Sequence, residues 1–242
     1  TSLTKTSGDN QSGSVSSPLA DSVVVRLLDA SGNGVPGRNV TFAIATGGGV
    51  VSPTSATTDT AGRAAARWTL GPLAGGNSLI ATSSGFSVTF QATGNSAAAT
   101  TLLSNSSTSQ NGTAGLPAGA PPSVRVTDAN GNPVAGVSIS FAVSGGGGSI
   151  LPVTPIATNA SGIATLTQWV LGTVAGANTV TASAAGLTPS QLTFTATGAA
   201  GAAAQLQVQT QPSSSAQSGV ALAVQPTVRL ADVFGNPVTT NG

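Results

Sequence analysis

The sequence predicts an all-β protein built from tandem two-sheet sandwiches, the third of them incomplete. Two observations carry this. The first is repetition at a spacing of about 100 residues. The run V-V-V-R-L-L-D-A-S-G-N over Val23–Asn33 returns as S-V-R-V-T-D-A-N-G-N-P over Ser123–Pro133, then as T-V-R-L-A-D-V-F-G-N-P over Thr227–Pro237. A second phrase, R-W-T-L-G over Arg67–Gly71 followed by A-G-G-N over Ala74–Asn77, recurs as Q-W-V-L-G over Gln168–Gly172 and A-G-A-N over Ala175–Asn178. A period this long suits whole small domains rather than solenoid units. The second observation is alternation of apolar and polar residues in short runs, punctuated by Gly, Pro, Asn and Asp.

In order along the first repeat, alternation predicts strands at Ser2–Thr6, Ser12–Ser16, Asp21–Leu28, Asn39–Ala45, Gly62–Leu70, Asn77–Thr82 and Phe86–Ala92, with a short edge strand in Val50–Thr58. The second repeat predicts Thr101–Ser104, Ser123–Thr127, Ser138–Ser144, Gly162–Val170, Asn178–Ala184 and Gln191–Thr197. Turn signals recur at the spacing of a sandwich. No run shows a helical period. Domains are expected over residues 1–96, 97–198 and 199–242. The segments Thr93–Ala99 and Thr197–Ala203 are small and uncharged, and read as linkers that allow limited bending. The third repeat holds strands at Gln205–Thr210 and Val224–Ala231 and lacks the Trp phrase, so it cannot bury a face by itself. Either the natural chain continues past Gly242 or a neighbouring molecule supplies the missing strands.

Side-chain phase names the core. Val40, Phe42 and Ile44 share one face, as do Val137, Ile139, Phe141 and Val143. Trp68 and Trp169 hold equivalent places and read as core anchors. An exposed sugar-stacking platform would want companion aromatics, and only Phe is present.

Composition narrows function. Charged residues are 5% of the 242, and net charge is +1. No basic stripe exists for nucleic acid or anionic lipid. No apolar run approaches the roughly 20 residues of a membrane span. Thr1–Asn10 shows no signal-peptide pattern, as in a mature chain or a fragment. The chain has no Cys, Met, His, Tyr or Glu, which makes it almost inert to oxidation and suits the outside of a cell. With one Lys and six Asp, no general acid–base or nucleophilic constellation assembles, so no catalytic residue and no cofactor are expected. Lys5 could brace only the first repeat through an isopeptide bond. N-x-S/T sequons, among them those headed by Asn39, Asn105, Asn111 and Asn159, are what chance gives in such an alphabet.

The turns at Asp29, Asp128 and Asp232 are the most specific local feature. Asp accepts N–H groups two residues on, while the following Gly and Asn (Asn33, Asn132, Asn236) supply the left-handed conformations of a tight loop. Calcium is the rival use of these aspartates, but it wants six or more oxygens and each turn offers one carboxylate. Asp59 becomes Asn159 in the second repeat, the behaviour of a turn former. The glycine runs Gly47–Gly49 and Gly145–Gly148 lack the Lys and helix of a phosphate loop and read as plain loops.

The order of apolar strand, Asp-x-x-Gly-Asn, strand ending in Phe, Thr-Asp/Asn-x-x-Gly, Trp-x-Leu-Gly and Ala-Gly-x-Asn resembles the bacterial immunoglobulin-like domains of the invasin/intimin group. It covers both full repeats and the start of the third. The resemblance implies immunoglobulin-like sandwiches in a large bacterial surface or secreted protein. Their expected work is a non-enzymatic spacer supporting adhesion, with neighbouring Ig-like domains of the same chain as partners. A self-assembling fibre or surface-layer subunit, with identical subunits as partners, is the alternative; a carbohydrate-binding module is the third reading. The chain lacks the Cys pair of antibody domains and any lectin-like tip.

Overall fold

Nine strands make the first repeat: β1 (Ser2–Ser7), β2 (Gln11–Ser14), β3 (Val23–Leu28), β4 (Asn39–Thr46), β5 (Gly49–Ser52), β6 (Ser55–Thr57), β7 (Arg63–Leu70), β8 (Gly75–Ser83) and β9 (Phe86–Asn95). They come from a computed structural model that describes residues 1–239. One sheet runs β1-β3-β7-β5 and the other β2-β9-β8-β4-β6. The chain changes sheets at its start: β1 pairs antiparallel with β3, whereas β2 pairs parallel with β9. Both sheets turn their apolar phase inward. Val23, Val25, Leu27, Ala64, Ala66, Trp68 and Leu70 meet Val40, Phe42, Leu79, Ala81, Phe90 and Ala92 in one cluster. Each large side chain buried there contributes roughly 1.5–3 kcal/mol.

The second repeat repeats the plan with β10 (Thr101–Ser104), β11 (Ser109–Thr113), β12 (Ser123–Thr127), β13 (Ser138–Gly145), β14 (Ser149–Leu151), β15 (Ile156–Ala157), β16 (Ile163–Thr165), β17 (Gln168–Val170), β18 (Gly176–Ser183) and β19 (Gln191–Ala199). Its larger sheet runs β11-β19-β18-β13-β15, and the other is in two pieces, β10-β12-β16 and β14-β17. The break has a sequence cause. In β7 the buried residues are Ala64, Ala66, Trp68 and Leu70, an unbroken alternation; here they are Ala164, Leu166, Trp169 and Leu171. One extra residue, at Thr167, interrupts the ladder and restores the inward phase of Trp169. Its N–H and hydroxyl both donate to the Leu151 carbonyl, at 2.8 and 3.0 Å.

Several expected boundaries shift. Gly162–Val170, expected as one strand, is two for the reason just given. Val50–Thr58, expected as one, is β5 and β6 joined through the cis Ser52–Pro53 bond, where Pro cannot donate to a ladder. The polar strand β11 has no apolar alternation to announce it. Residues Thr93–Asn95, expected in a linker, finish β9.

In the third repeat β20 (Gln205–Thr210) and β21 (Thr227–Ala231) form a two-stranded antiparallel sheet. Leu206 is 70% exposed, whereas Leu3 and Leu102, its counterparts, are buried. Residues 240–242, and with them the question of strands after Gly242, lie outside the described residues.

The chain divides into two compact units. The first is Thr1–Ala99 with Thr127–Val134; the second is Thr100–Val126 with Ala135–Gly242. The Asp128 turn, which belongs by sequence to the second repeat, is therefore part of the first unit.

Candidate functional site

The three Asp turns are closed by the same bonds. In the first unit Asp128 Oδ1 accepts the N–H groups of Asn130 and Asn132, both at 2.9 Å. The Asp128 N–H donates to the Asn132 carbonyl at 2.9 Å, and Gly131 takes a φ of 84° that a Cβ would resist. Thr127 and Pro133 bridge at the base. The Asp232 turn makes the matching bonds to Phe234 and Asn236, and the Asp29 turn to Ser31 and Asn33.

Asn132 then does something a turn residue need not do. Its Nδ2 donates to the Pro72 carbonyl at 2.8 Å, and its Oδ1 accepts the Ala74 N–H at 2.8 Å. A side-chain amide carries one acceptor and a donor pair, so it pairs with main chain as another strand would. Asp128 Oδ2 accepts the Ala97 N–H at 2.9 Å, and the Ser96 hydroxyl donates to the Pro133 carbonyl at 2.6 Å. Asp128 and Asn132 are 1% and 6% exposed. The second unit builds the same clasp one repeat later. Asn236 Nδ2 donates to Thr173 O and its Oδ1 accepts from Ala175 N, both at 2.8 Å, while Gly201 N–H donates to Asp232 Oδ2 at 2.9 Å.

One neighbouring pair differs between the units. Asn130 Nδ2 donates to the Ser16 hydroxyl at 3.5 Å. In the second unit those two places are held by Phe234 and Gly115, and a Cβ on Gly115 would run into the Phe234 ring.

Electrostatics follow the hydrogen bonds. Burial alone would raise the Asp128 carboxyl. Donation from the Asn132 side chain and from the Ala97, Asn132 and Asn130 N–H groups outweighs it and holds the group below its ordinary value. The same contest at Asp232 ends at about 2, with Asn236, Gly201 and Phe234 donating. Asp29 is lowered chiefly by Asn33. Asp128 spends both oxygens on N–H donors, so the calcium reading finds no free lone pair there. Among the described residues no group of three or more acidic, His or Cys side chains gathers.

The other residues singled out by sequence lie in the strands and turns around it. Trp68 and Trp169 are buried, 0% and 1% exposed, with no face for a sugar. Phe42 and Phe141 are buried in β4 and β13. Asp59 Oδ1 accepts from Ala61 and Arg63, and Asn159 Oδ1 does the same for Ser161 and Ile163, so Asp and Asn are interchangeable there. In the glycine loops, a Cβ on Gly71 or Gly172 would collide with the carbonyl of Gly47 or Gly146. Buried Asn178 supports that loop, accepting the Gly172 N–H at 2.7 Å. Lys5 pairs with Asp9 and donates to the Thr89 carbonyl at 3.0 Å.

Sequence reasoning missed Pro72, Ala74, Ser96 and Ala97. Three of them act through main-chain atoms, which leave no side-chain signature. For Pro72 and Ala74 the one signal is the repeated Leu-Gly-x-x-Ala-Gly spacing.

Residues 120–197, within the second repeat, match the family model of the bacterial Ig-like domain (group 1). The chain is similar in fold to FdeC, an Escherichia coli adhesin, with 20% identity and a TM-score of 0.61 over 98% of this chain and 75% of that one. It is likewise similar to InvD of Yersinia pseudotuberculosis, with 20% identity and a TM-score of 0.53 over 98% and 71%. The fold is that of tandem Ig-like β-sandwiches, as the sequence predicts. The comparison with curated proteins gave no match. No helix among the described residues is long and apolar enough to cross a membrane.

Proposed function

We propose that this chain is a spacer in a large bacterial surface or secreted protein, supplying reach for adhesion and no chemistry of its own. The observation that carries the reading is the clasp made twice. Asn132 and Asn236 each bond the main chain of the preceding repeat through a donor and an acceptor. Such a bond serves repeats arranged in series. A residue inventory without His, Cys or Glu supports the absence of catalysis. The similarity to FdeC, named as an adhesin, supports the adhesive context.

The test is display on a bacterial surface with an epitope at the free end, using chains of two, four and six repeats. Antibody access past a surface polysaccharide should rise with repeat number. Access independent of number sinks the reading.

A fibre or surface-layer subunit is the second reading. It is favoured by the uncovered apolar face of β20 and β21, where Leu206, Val208 and Val228 are exposed. Sedimentation of the dilute chain separates the two: a spacer stays monomeric, a fibre subunit associates.

A further inference from the structure

We propose that the Asp29–Asn33 turn is a docking site whose occupant is the Leu-Gly-x-x-Ala loop and linker of another repeat of this kind, joined ahead of Thr1. The inference rests on the serial reading above, because the occupant is a repeat. It goes beyond it by assigning a site and the chemistry that fills it.

The turn is complete internally, and its outward groups differ from those of the other two turns. Asp29 Oδ1 accepts from Ser31 and Asn33 at 2.8 and 2.9 Å, and Asn33 Nδ2 donates to Asp29 Oδ2 at 3.2 Å. Those are the internal bonds of the Asp128 and Asp232 turns. The external half has no partner among the described residues. Asn33 is exposed, where Asn132 and Asn236 are both 6% exposed. Its Oδ1 accepts nothing, and Asp29 Oδ2 has only Asn33 to accept from.

The two filled turns define the occupant. It must present a main-chain carbonyl and, two residues on, a main-chain N–H, as Pro72 with Ala74 and Thr173 with Ala175 do. It must also offer an N–H 31 residues ahead of the turn aspartate, as Ala97 does for Asp128 and Gly201 for Asp232. For Asp29 that donor falls three positions ahead of Thr1. A copy of residues 1–99 joined directly to Thr1 places its own Ala97 there. Ser31 stands where Asn130 and Phe234 stand, and is small enough to face either a Ser16 or a Gly115.

The experiment joins a second copy of residues 1–99 ahead of the full chain. Asn33→Ala is then made in the original segment of both the 242-residue and the extended chain, with Asn132→Ala as the benchmark. In the 242-residue chain Asn33→Ala should leave the melting midpoint almost unmoved. In the extended chain it should lower it by several degrees, as Asn132→Ala does. Exchange of the Asn33 side-chain amide in the unsubstituted extended chain should slow by roughly tenfold or more, and a four-residue Gly-Ser insertion at the joint should undo that. Asn33→Ala silent in both proteins, or Asn33 exchange unchanged by the extension, overturns the proposal. Neither result touches the reach experiment, so the two readings fail separately.

Discussion

Gly115 lies against the ring of Phe234 so closely that no Cβ fits between them. The first unit resolves the same place with two polar side chains, Ser16 and Asn130. Gly115 also has a φ of 75°, and Ser16 one of 57°, so the backbone is left-handed in both.

Because a side chain at 115 meets the ring, Gly115→Ser should destabilise the second unit by about 2 kcal/mol. Adding Phe234→Asn rebuilds the polar pair of the first unit and should recover most of the loss. Thermal unfolding of the two variants checks this, and a double variant no better than the single contradicts the pairing.

Asn132 is needed as an amide. Asn132→Ala leaves the Pro72 carbonyl and Ala74 N–H without their partner, at a cost of about 1–3 kcal/mol. Asn132→Asp should cost more. It offers only acceptors, sets one against the Pro72 carbonyl and adds a charge beside Asp128. Denaturant titration ranks the two.

Buried Asn178 and Asn77 hold equivalent places with unequal bonding. Asn178 Oδ1 accepts the Gly172 N–H, whereas Asn77 Oδ1 has no partner. Asn178→Ala should therefore cost about 1–2 kcal/mol more than Asn77→Ala. Amide exchange at Gly172 should accelerate in the first variant.

The acid limb of stability belongs to the turns. Asp9, Asp29, Asp128 and Asp232 all have lowered carboxyl pKa values in the folded chain, Asp232 at about 2. A lowered folded value means the contribution is fully present above the unfolded carboxylate value of about 3.9, and is lost as pH falls through the folded value. The melting midpoint should stay level between about pH 5 and 9 and drop from about pH 4 toward 2. Asp128→Asn should flatten part of that drop. A slope near neutrality would contradict the assignment.

Most of the fold was legible because burial and alternation coincide: β3 and β7 put every second residue inside, as do β4 at Val40 and Phe42 and β9 at Phe90 and Ala92. The turns were legible too, since Asp, Gly and Asn occupy fixed offsets. What escaped falls into two physical kinds. Thr167 is one inserted residue, and insertion shows only when the Trp68 and Trp169 phrases are aligned against the flanking turns. The clasp uses main-chain atoms of Pro72 and Ala74, available on any residue, so nothing in the alphabet marks them. The linker around Ala97 looked free because small uncharged residues usually are. There the backbone N–H alone does the binding.

The generality of the Asn132 and Asn236 bonds reaches into the gene. Each reads only a carbonyl and an N–H two residues apart, and Pro72–Leu73–Ala74 serves as well as Thr173–Val174–Ala175. A joint between any two copies thus keeps these two bonds, but the Ser16–Asn130 and Gly115–Phe234 pairs have to travel matched, because a side chain at the Gly115 place meets the Phe234 ring.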